Sequence, residues 1–408
     1  MRPGSGQPPG RGWLRPRGPV LSLAVARFFG AVASYMVLPF IAVRLTQAGD
    51  GLAVAGIVTG VGPLVRMLAG TLGGMAADHL GRRRTMLLGN AISVLAMAGF
   101  AMSHGALAYA LLNGMNGLAR AVAGPAQSAA IADVTEPEER AQAYAYGRVA
   151  MNVGAAIGPF LGAFFVLAHP TLVFLGAAGA SALVVALLFF TVPETGRQLR
   201  QVTNREAMRR MATDPALWLY VVGGSMQLGV YMVIETIFPA FLRGAVPGGL
   251  EVYAVMTLVN TAMVAVLQIP LNRWLGRLRP ATGFAAGLFF FAAAYLGIAY
   301  LRNPLALILT MVVFTAGEMT VFVVMPAYEA SMGDEAVRGR TFGALSMKQA
   351  GAALGPLVVG GLLQLGGAHL AFPAVSAIAL CSGLILVWSV HKRERRNVER
   401  PAAETSAG

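Results

Sequence analysis

The sequence predicts an all-α membrane protein, with twelve transmembrane helices in two pseudo-symmetric six-helix bundles and both termini in the cytoplasm. Three observations predict it. The composition is too apolar for water, stretches of membrane-spanning length recur along the chain, and the second half repeats landmarks of the first.

Of the 408 residues, 56% are hydrophobic and only 12% charged, whereas a typical soluble domain carries about 25% charged residues. No stretch reads as an independent water-soluble core, so the length is counted in spans. Cys381 is the single cysteine, which excludes an intrachain disulfide. The first 18 residues are rich in Pro, Gly and Arg and too polar to span. The apolar run behind them is longer than a signal-peptide core and lacks a convincing cleavage site, so it reads as the first span.

A helix needs about 20 apolar residues to cross the hydrocarbon core. Runs of that size fall at residues 20–43, 51–77, 85–104, 106–133, 142–168, 170–192, 216–242, 251–275, 281–301, 304–331, 340–366 and 369–390. The division that follows is a tail 1–18, a first six-helix bundle 19–193, a central loop 194–215, a second bundle 216–390 and a tail 391–408.

A net charge of +13 and a pI near 10.6 raise the question of nucleic-acid binding. The placement of the basic residues answers it. They gather at alternate breaks: Arg82, Arg83 and Arg84; Arg140 and Arg148; the central loop; Arg273, Arg277 and Arg279; Arg338 and Arg340; and both tails. The opposite side has Arg44, Arg243 and Arg302. The positive-inside rule therefore puts both tails and the central loop in the cytoplasm, and no nucleic-acid partner is needed to explain the charge.

The repeat is legible residue by residue. Around the fourth and fifth spans the chain reads Gly124-Pro125-Ala126, a charged turn from Asp133 to Arg140, Gly147, Gly154-x-x-x-Gly158-Pro159 and Gly162. In the second half it reads Met325-Pro326-Ala327, a charged turn from Asp334 to Arg340, Gly343, Gly351-x-x-x-Gly355-Pro356 and Gly360. Tyr35-Met36-Val37 before Pro39 likewise matches Tyr231-Met232-Val233 before Pro239. Such spacing is left by two halves related by an axis along the membrane normal. Glycines at every fourth position let helices approach closely and prolines hinge them, so Gly154, Gly158, Pro159, Gly351, Gly355 and Pro356 are candidate hinge or packing positions.

Between the second and third spans lies Gly74-Met75-Ala76-Ala77-Asp78-His79-Leu80-Gly81-Arg82-Arg83-Arg84. It resembles the signature loop of the major facilitator superfamily of secondary transporters, with His79 where Arg or Lys is usual. Pro193-Glu194-Thr195 after the sixth span is similar to a common ending in that family. The resemblance implies the major facilitator fold and alternating access. It also implies a conformational lock of Gly74, Asp78, Gly81, Arg82, Arg83 and Asp133 beside the helix that begins near Arg340, with orientation signalling as the plainer role of the arginines. The Gly154 to Gly162 run, with Gly317-Glu318, Asn260, Gln268 and Pro270, looks most like the bacterial drug:proton antiporter branch, which implies the inner membrane of a bacterium.

Asn113, Asn116, Arg120, Gly124 and Gln127 recur at steps of three and four, making one polar face on the fourth span. A charge at the bilayer centre costs about 2.5–3.5 kcal/mol on insertion scales, so Arg120 should face a cavity or an acid. Arg66 should also have a partner, while Arg27 and Lys348 sit near the cytoplasmic ends of spans, where snorkelling suffices. Two embedded acids, Glu235 and Glu318, are candidates for proton coupling, with a fixed Arg partner as the alternative. Desolvation disfavours a carboxylate and a nearby cation favours it, so substrate and proton can compete for one such site. Tyr35, Asn152, Gln227, Tyr231, Asn260 and Gln268 complete the candidate substrate cavity.

The only lysines are Lys348 and Lys392, which excludes a phosphate-binding Gly-rich loop ending in Lys, and no hydrolase or zinc motif is present. The reading is a secondary transporter, not an enzyme, without cofactor or metal, coupled to protons and exporting drugs or other amphipathic molecules. Its expected partners are a small-molecule substrate, protons and the lipid bilayer, and it is expected to work as a monomer. A metabolite carrier, with Arg66 and Arg120 on an anion, and a non-transporting membrane sensor or scaffold are the alternatives.

Overall fold

The computed structural model describes residues 18–136, 139–166, 169–195, 212–275, 278–330, 332 and 344–399. Expectations for most of the N-terminal tail, most of the central loop, the turn through Asp334 to Arg340, Gly343 and the last nine residues lie outside these.

Among the described residues the regular elements are all helices: α1 (Gly18–Gln47), α2 (Leu52–Leu80), α3 (Arg82–Met102), α4 (Ala106–Asp133), α5 (Arg140–Val166), α6 (Pro170–Thr191), α7 (Pro215–Thr236), α8 (Phe238–Ala245), α9 (Gly249–Leu275), α10 (Pro280–Tyr300), α11 (Pro304–Ala330) and α12 (Gln349–Glu399). Backbone groups in hydrocarbon must be satisfied within their own segment, which leaves the helix as the natural element for these apolar runs. Among the described residues, ten stretches are long and apolar enough to cross a membrane. The polar face carrying Asn113, Asn116 and Arg120 keeps α4 from being one of them. Large apolar side chains stand on the outer surface, including Phe190 at 81% and Leu365 at 83% exposure. That surface suits lipid rather than water.

Two boundaries differ from the sequence expectation. The seventh run, expected at 216–242, is divided at Ile237 into α7 and α8. Pro239 explains the division, because it has no N–H to give to the carbonyl four residues back, that of Glu235. The last two runs form a single helical stretch, α12, interrupted at Gly367 with φ 63° and ψ −162°. Only glycine adopts that backbone readily. A straight helix of its length would measure about 75 Å, far beyond a hydrocarbon core of about 30 Å. Its contacts show that it folds back. Gly351 and Gly355 pack on Ser225 and Gly229 of α7 in the same direction, whereas Ser382 and Ser389 bond to the carbonyls of Gly223 and Ala216 in reverse order, each at 2.7 Å. The two legs of α12 are therefore antiparallel.

The repeated glycines do the same job in each half. In the first, Gly154, Gly158 and Gly162 of α5 bring its backbone onto α1 at Phe28, Tyr35 and Phe40. In the second, Gly351 and Gly355 bring α12 onto α7. Contacts between the halves gather at the end opposite the Arg82–Arg84 loop. There Gly56 and Gly60 of α2 meet the carbonyls of Pro356 and Ala353, Gly360 meets Leu52, and Gln364 Oε1 accepts from Ala53 N at 3.2 Å. Phe40 of α1 packs edge-on to Tyr253 of α9 beside them.

This packing separates two glycines on the same helix. A Cβ at position 355 would stand 2.7 Å from the Gly229 Cα, whereas one at position 361 meets nothing within 4 Å. Gly355→Ala is expected to destabilise by about 1–3 kcal/mol through overpacking. Gly361→Ala should be neutral or stabilising by up to about 1 kcal/mol, because alanine is the better helix former. Thermal unfolding in detergent distinguishes them.

Candidate functional site

The arginine loop is built around Gly81, whose φ of 93° makes the sharp turn from α2 to α3. Arg82 is almost fully buried. Its Nε meets Asp133 Oδ2 at the end of α4 at 3.3 Å, and its Nη1 donates to Ala77 O at 2.7 Å. Arg83 contacts the carbonyl of Phe189 and places its guanidinium 4.8 Å over the Phe189 ring. Glu194 accepts from the backbone N–H groups of Arg83 and Arg84 at 3.0 and 3.2 Å, capping α3 where the helix dipole favours a carboxylate. Arg82 N donates to Thr195 O at 3.2 Å. The loop is thus tied to α4 and to the chain after α6. Gly74, the Asp78 side chain and Arg340 lie outside the described residues. The capping role of Glu194 was not foreseen, although its place directly after a span was a usable signal.

Half-way along the helices, the polar face of α4 divides into two kinds of residue. Asn113 Nδ2 donates to Val58 O at 2.9 Å and Thr59 O at 3.1 Å. The Thr59 carbonyl is the one that Pro63 deprives of its helical donor, so Asn113 repairs the α2 ladder. Gln127 Nε2 donates to Leu23 O of α1 at 3.1 Å. These two are structural contacts. Asn116 is buried and its Oδ1 has no partner among the described residues. Arg120 and Arg66 lie within electrostatic range of one another, and among the described residues neither forms an ion pair.

The second half supplies the acids. Tyr231 Oη lies 3.3 Å from Glu235 Oε1 and 3.2 Å from Glu318 Oε1. Asn260 Nδ2 donates to Glu318 Oε2 at 2.6 Å and to Thr315 Oγ1 at 3.0 Å. Phe314 and Phe322 pack on the Tyr231 ring, with centroids 6.0 and 5.2 Å away. Glu235 Oε2 is shielded from solvent and has no hydrogen-bond partner among the described residues. A tyrosine hydroxyl has one proton to donate, so it cannot donate to two carboxylates at once. Tyr35 of α1 lies within electrostatic range of Glu235, Glu318, Arg120 and Arg66. The structure therefore brings six of the sequence candidates, Tyr35, Arg120, Tyr231, Asn260, Glu235 and Glu318, into one region between the halves together with Arg66.

The remaining candidates are placed as follows. Asn152 is exposed on α5, Gln268 is half-buried on α9, and Gln227 is buried on α7 with its Nε2 unpartnered. Lys348 does not snorkel. It forms an ion pair with Glu329, whose Oε1 accepts from Tyr220 Oη at 2.8 Å, and stands 5.3 Å over the Tyr220 ring. Arg27 likewise turns inward to Ser128 Oγ at 3.2 Å. Glu329 escaped sequence reading because it sits at the margin of a span, where an acid looks like part of a loop.

The sequence profile of the Major Facilitator Superfamily matches residues 23–348 and again 250–407. Over 397 residues the chain is 27% identical to the uncharacterised MFS-type transporter YqjV of Bacillus subtilis, covering 93% of this chain and 97% of that protein. It is 24% identical to the Na(+), Li(+), K(+)/H(+) antiporter of Planococcus maritimus, with 92% and 96% covered. To the multidrug resistance protein MdtH of Salmonella newport it is 25% identical, with 90% and 94% covered. Among solved structures, the peptide transporter POT in complex with sulfate aligns with a TM-score of 0.77 over 94% of this chain and 96% of that one, at 16% identity, a likeness of fold alone.

The Glu194 cap has a measurable consequence. Hydrogen bonds to a charged group contribute about 1.5–3 kcal/mol. Glu194→Ala should therefore lower the unfolding temperature and raise amide hydrogen exchange at the start of α3, while the exposed Glu136→Ala changes neither.

Proposed function

Because the chain belongs to the Major Facilitator Superfamily, and is therefore a multi-pass membrane transporter and not an enzyme, we propose that it exports amphipathic small molecules in exchange for protons by alternating access. Twelve crossings follow when the two legs of α12 count separately and α4, amphipathic but long enough, is included. With the arginine-rich ends in the cytoplasm, the Gly56–Pro356 contact lies on the outer side, and the described conformation is closed there.

The observation that carries the coupling is the Tyr231 hydroxyl held between Glu235 and Glu318. Both contacts are satisfied when one carboxyl keeps a proton and donates it back to the tyrosine oxygen, while the tyrosine proton goes to the other carboxylate. Glu235 and Glu318 then form one proton-carrying unit. A substrate cation that enters beside them displaces the proton, and reprotonation on the outer side releases the substrate. The unit spans α7 and α11, and the break at Pro239 one turn beyond Glu235 gives α7 a place to flex.

The lock and the hinges complete the cycle. Arg82 and Asp133, beside the Gly81 turn, hold the cytoplasmic ends of α2, α3 and α4 as one body, and Arg83 ties α3 to α6. Gly154, Gly158 and Pro159 on α5, with Gly351, Gly355 and Pro356 on α12, are the sliding surfaces. The relatives named for multidrug resistance and for proton-coupled cation exchange support export and coupling. Arg66 and Arg120, without an ion pair among the described residues, favour a second reading, a carrier of organic anions.

Proton release from purified protein on adding a panel of lipophilic cations and neutral drugs separates the two. Export predicts substrate-dependent release that falls about tenfold or more in Glu318→Gln or Glu235→Gln, the scale of losing a charge-assisted hydrogen bond. Release from none of the compounds by folded protein would reject proton antiport of such substrates.

A further inference from the structure

We propose that the transported molecule is amphoteric, with an anionic group held by Arg66 and Arg120 and a cationic group set against Glu235 and Glu318. The inference rests on the transport reading above and names its substrate class.

The guanidinium pair is a product of helix packing. α2 and α4 run in the same direction, since Val58 and Thr59 meet Asn113 and Gly62 meets Gly117. A Cβ on Gly117 would stand 3.0 Å from the Gly62 Cα, so the two backbones touch there. Arg66 lies one turn beyond Gly62 and Arg120 about one turn beyond Gly117, which sets two like charges on neighbouring helices beside a close backbone approach. Each is a costly group in this location, about 2.5–3.5 kcal/mol at the centre of a membrane helix.

The chain neutralises two other inward-turned cations with its own acids, Arg82 with Asp133 and Lys348 with Glu329, and gives Arg27 the hydroxyl of Ser128. At the centre it has two cations and two acids around Tyr35, yet among the described residues it forms no ion pair between them. Glu318 is bonded to Asn260 and Tyr231, while Glu235 leaves Oε2 without a partner. The charges are separated by wall: α2 and α4 carry the positive pair, α7 and α11 the negative pair. A cation alone would leave the guanidiniums uncompensated, and an anion alone would leave Glu235 Oε2 unbonded. A molecule with both groups satisfies both walls, and the Tyr231 ring with Phe314 and Phe322 supplies an apolar face beside them.

The test uses purified full-length protein and a library of drugs and metabolites sorted into amphoteric, cationic, anionic and neutral classes, with norfloxacin among the amphoteric members. Binding is read from protection against thermal unfolding, and each amphoteric binder is retested as its methyl ester and as its N-acetyl derivative. The expected result is that amphoteric compounds dominate and that either derivatisation weakens binding by at least about tenfold. Arg120→Ala and Arg66→Ala should weaken the parent compound but not its ester, and Glu235→Gln should weaken the parent but not its N-acetyl form. Binders confined to single-charge classes, or esters that bind as tightly as their parents, overturn the proposal. The ligand derivatives are tested on the unmodified protein, so the conclusion survives a variant that does not fold. Amphoteric binding without proton release would reject antiport and keep this inference. Proton release by cations, unaffected at Arg66 and Arg120, would do the reverse.

Discussion

A charge inside hydrocarbon must be answered by another group, and the way each charge is answered divides this molecule into fixed framework and working site. Arg82 has Asp133, Lys348 has Glu329, and Arg83 has the Phe189 carbonyl and ring. All three lie near the arginine-loop ends of their helices and join helices of the same half. Arg66, Arg120 and Glu235 Oε2 have no such partner among the described residues, and they lie between the halves. Where fixed charges are paired the structure resists movement. Where they are left open, a proton or a cargo supplies the missing charge, and the free energy of that event is available to shift the equilibrium between conformations.

The backbone obeys the same accounting. Each proline within a span removes one helical donor, and the freed carbonyl must find another. Asn113 closes the gap made by Pro63 with a side-chain amide. Pro239, one turn after Glu235, acts differently, ending α7 at Thr236 and starting the short α8. The glycine series on α5 and α12 remove side chains where these helices cross α1 and α7, so the two crossings are made largely from backbone contacts rather than from interlocked large residues. Such surfaces pack closely and have little to disengage when one helix slides on another.

Much of this was legible in the sequence because hydrophobic length and glycine spacing are local properties. Apolar runs marked the helices to within a few residues in most cases, and the Gly154 and Gly351 series marked matching packing faces in the two halves. The α7–α8 division was hidden because Pro239 sits in an apolar run whose composition hardly changes. Partners were less legible than faces. Periodicity put Asn113, Arg120 and Gln127 on one side of α4, yet it cannot say that Asn113 and Gln127 bond to backbone while Arg120 forms no ion pair among the described residues. The Glu194 cap and the Glu329–Lys348 pair depend on residues far apart in the chain, and no spacing rule brings them together. Glu235 and Glu318 were found because an acid in a span is rare enough to stand out unaided.

The central claim is that Glu235 and Glu318 hold one proton between them through Tyr231. Infrared difference spectroscopy of the purified protein near neutral pH reads this without a substrate. The account predicts a protonated-carboxyl band that shifts in Tyr231→Phe and disappears in Glu318→Gln. A resting protein with no such band, or with one that neither substitution alters, would contradict it.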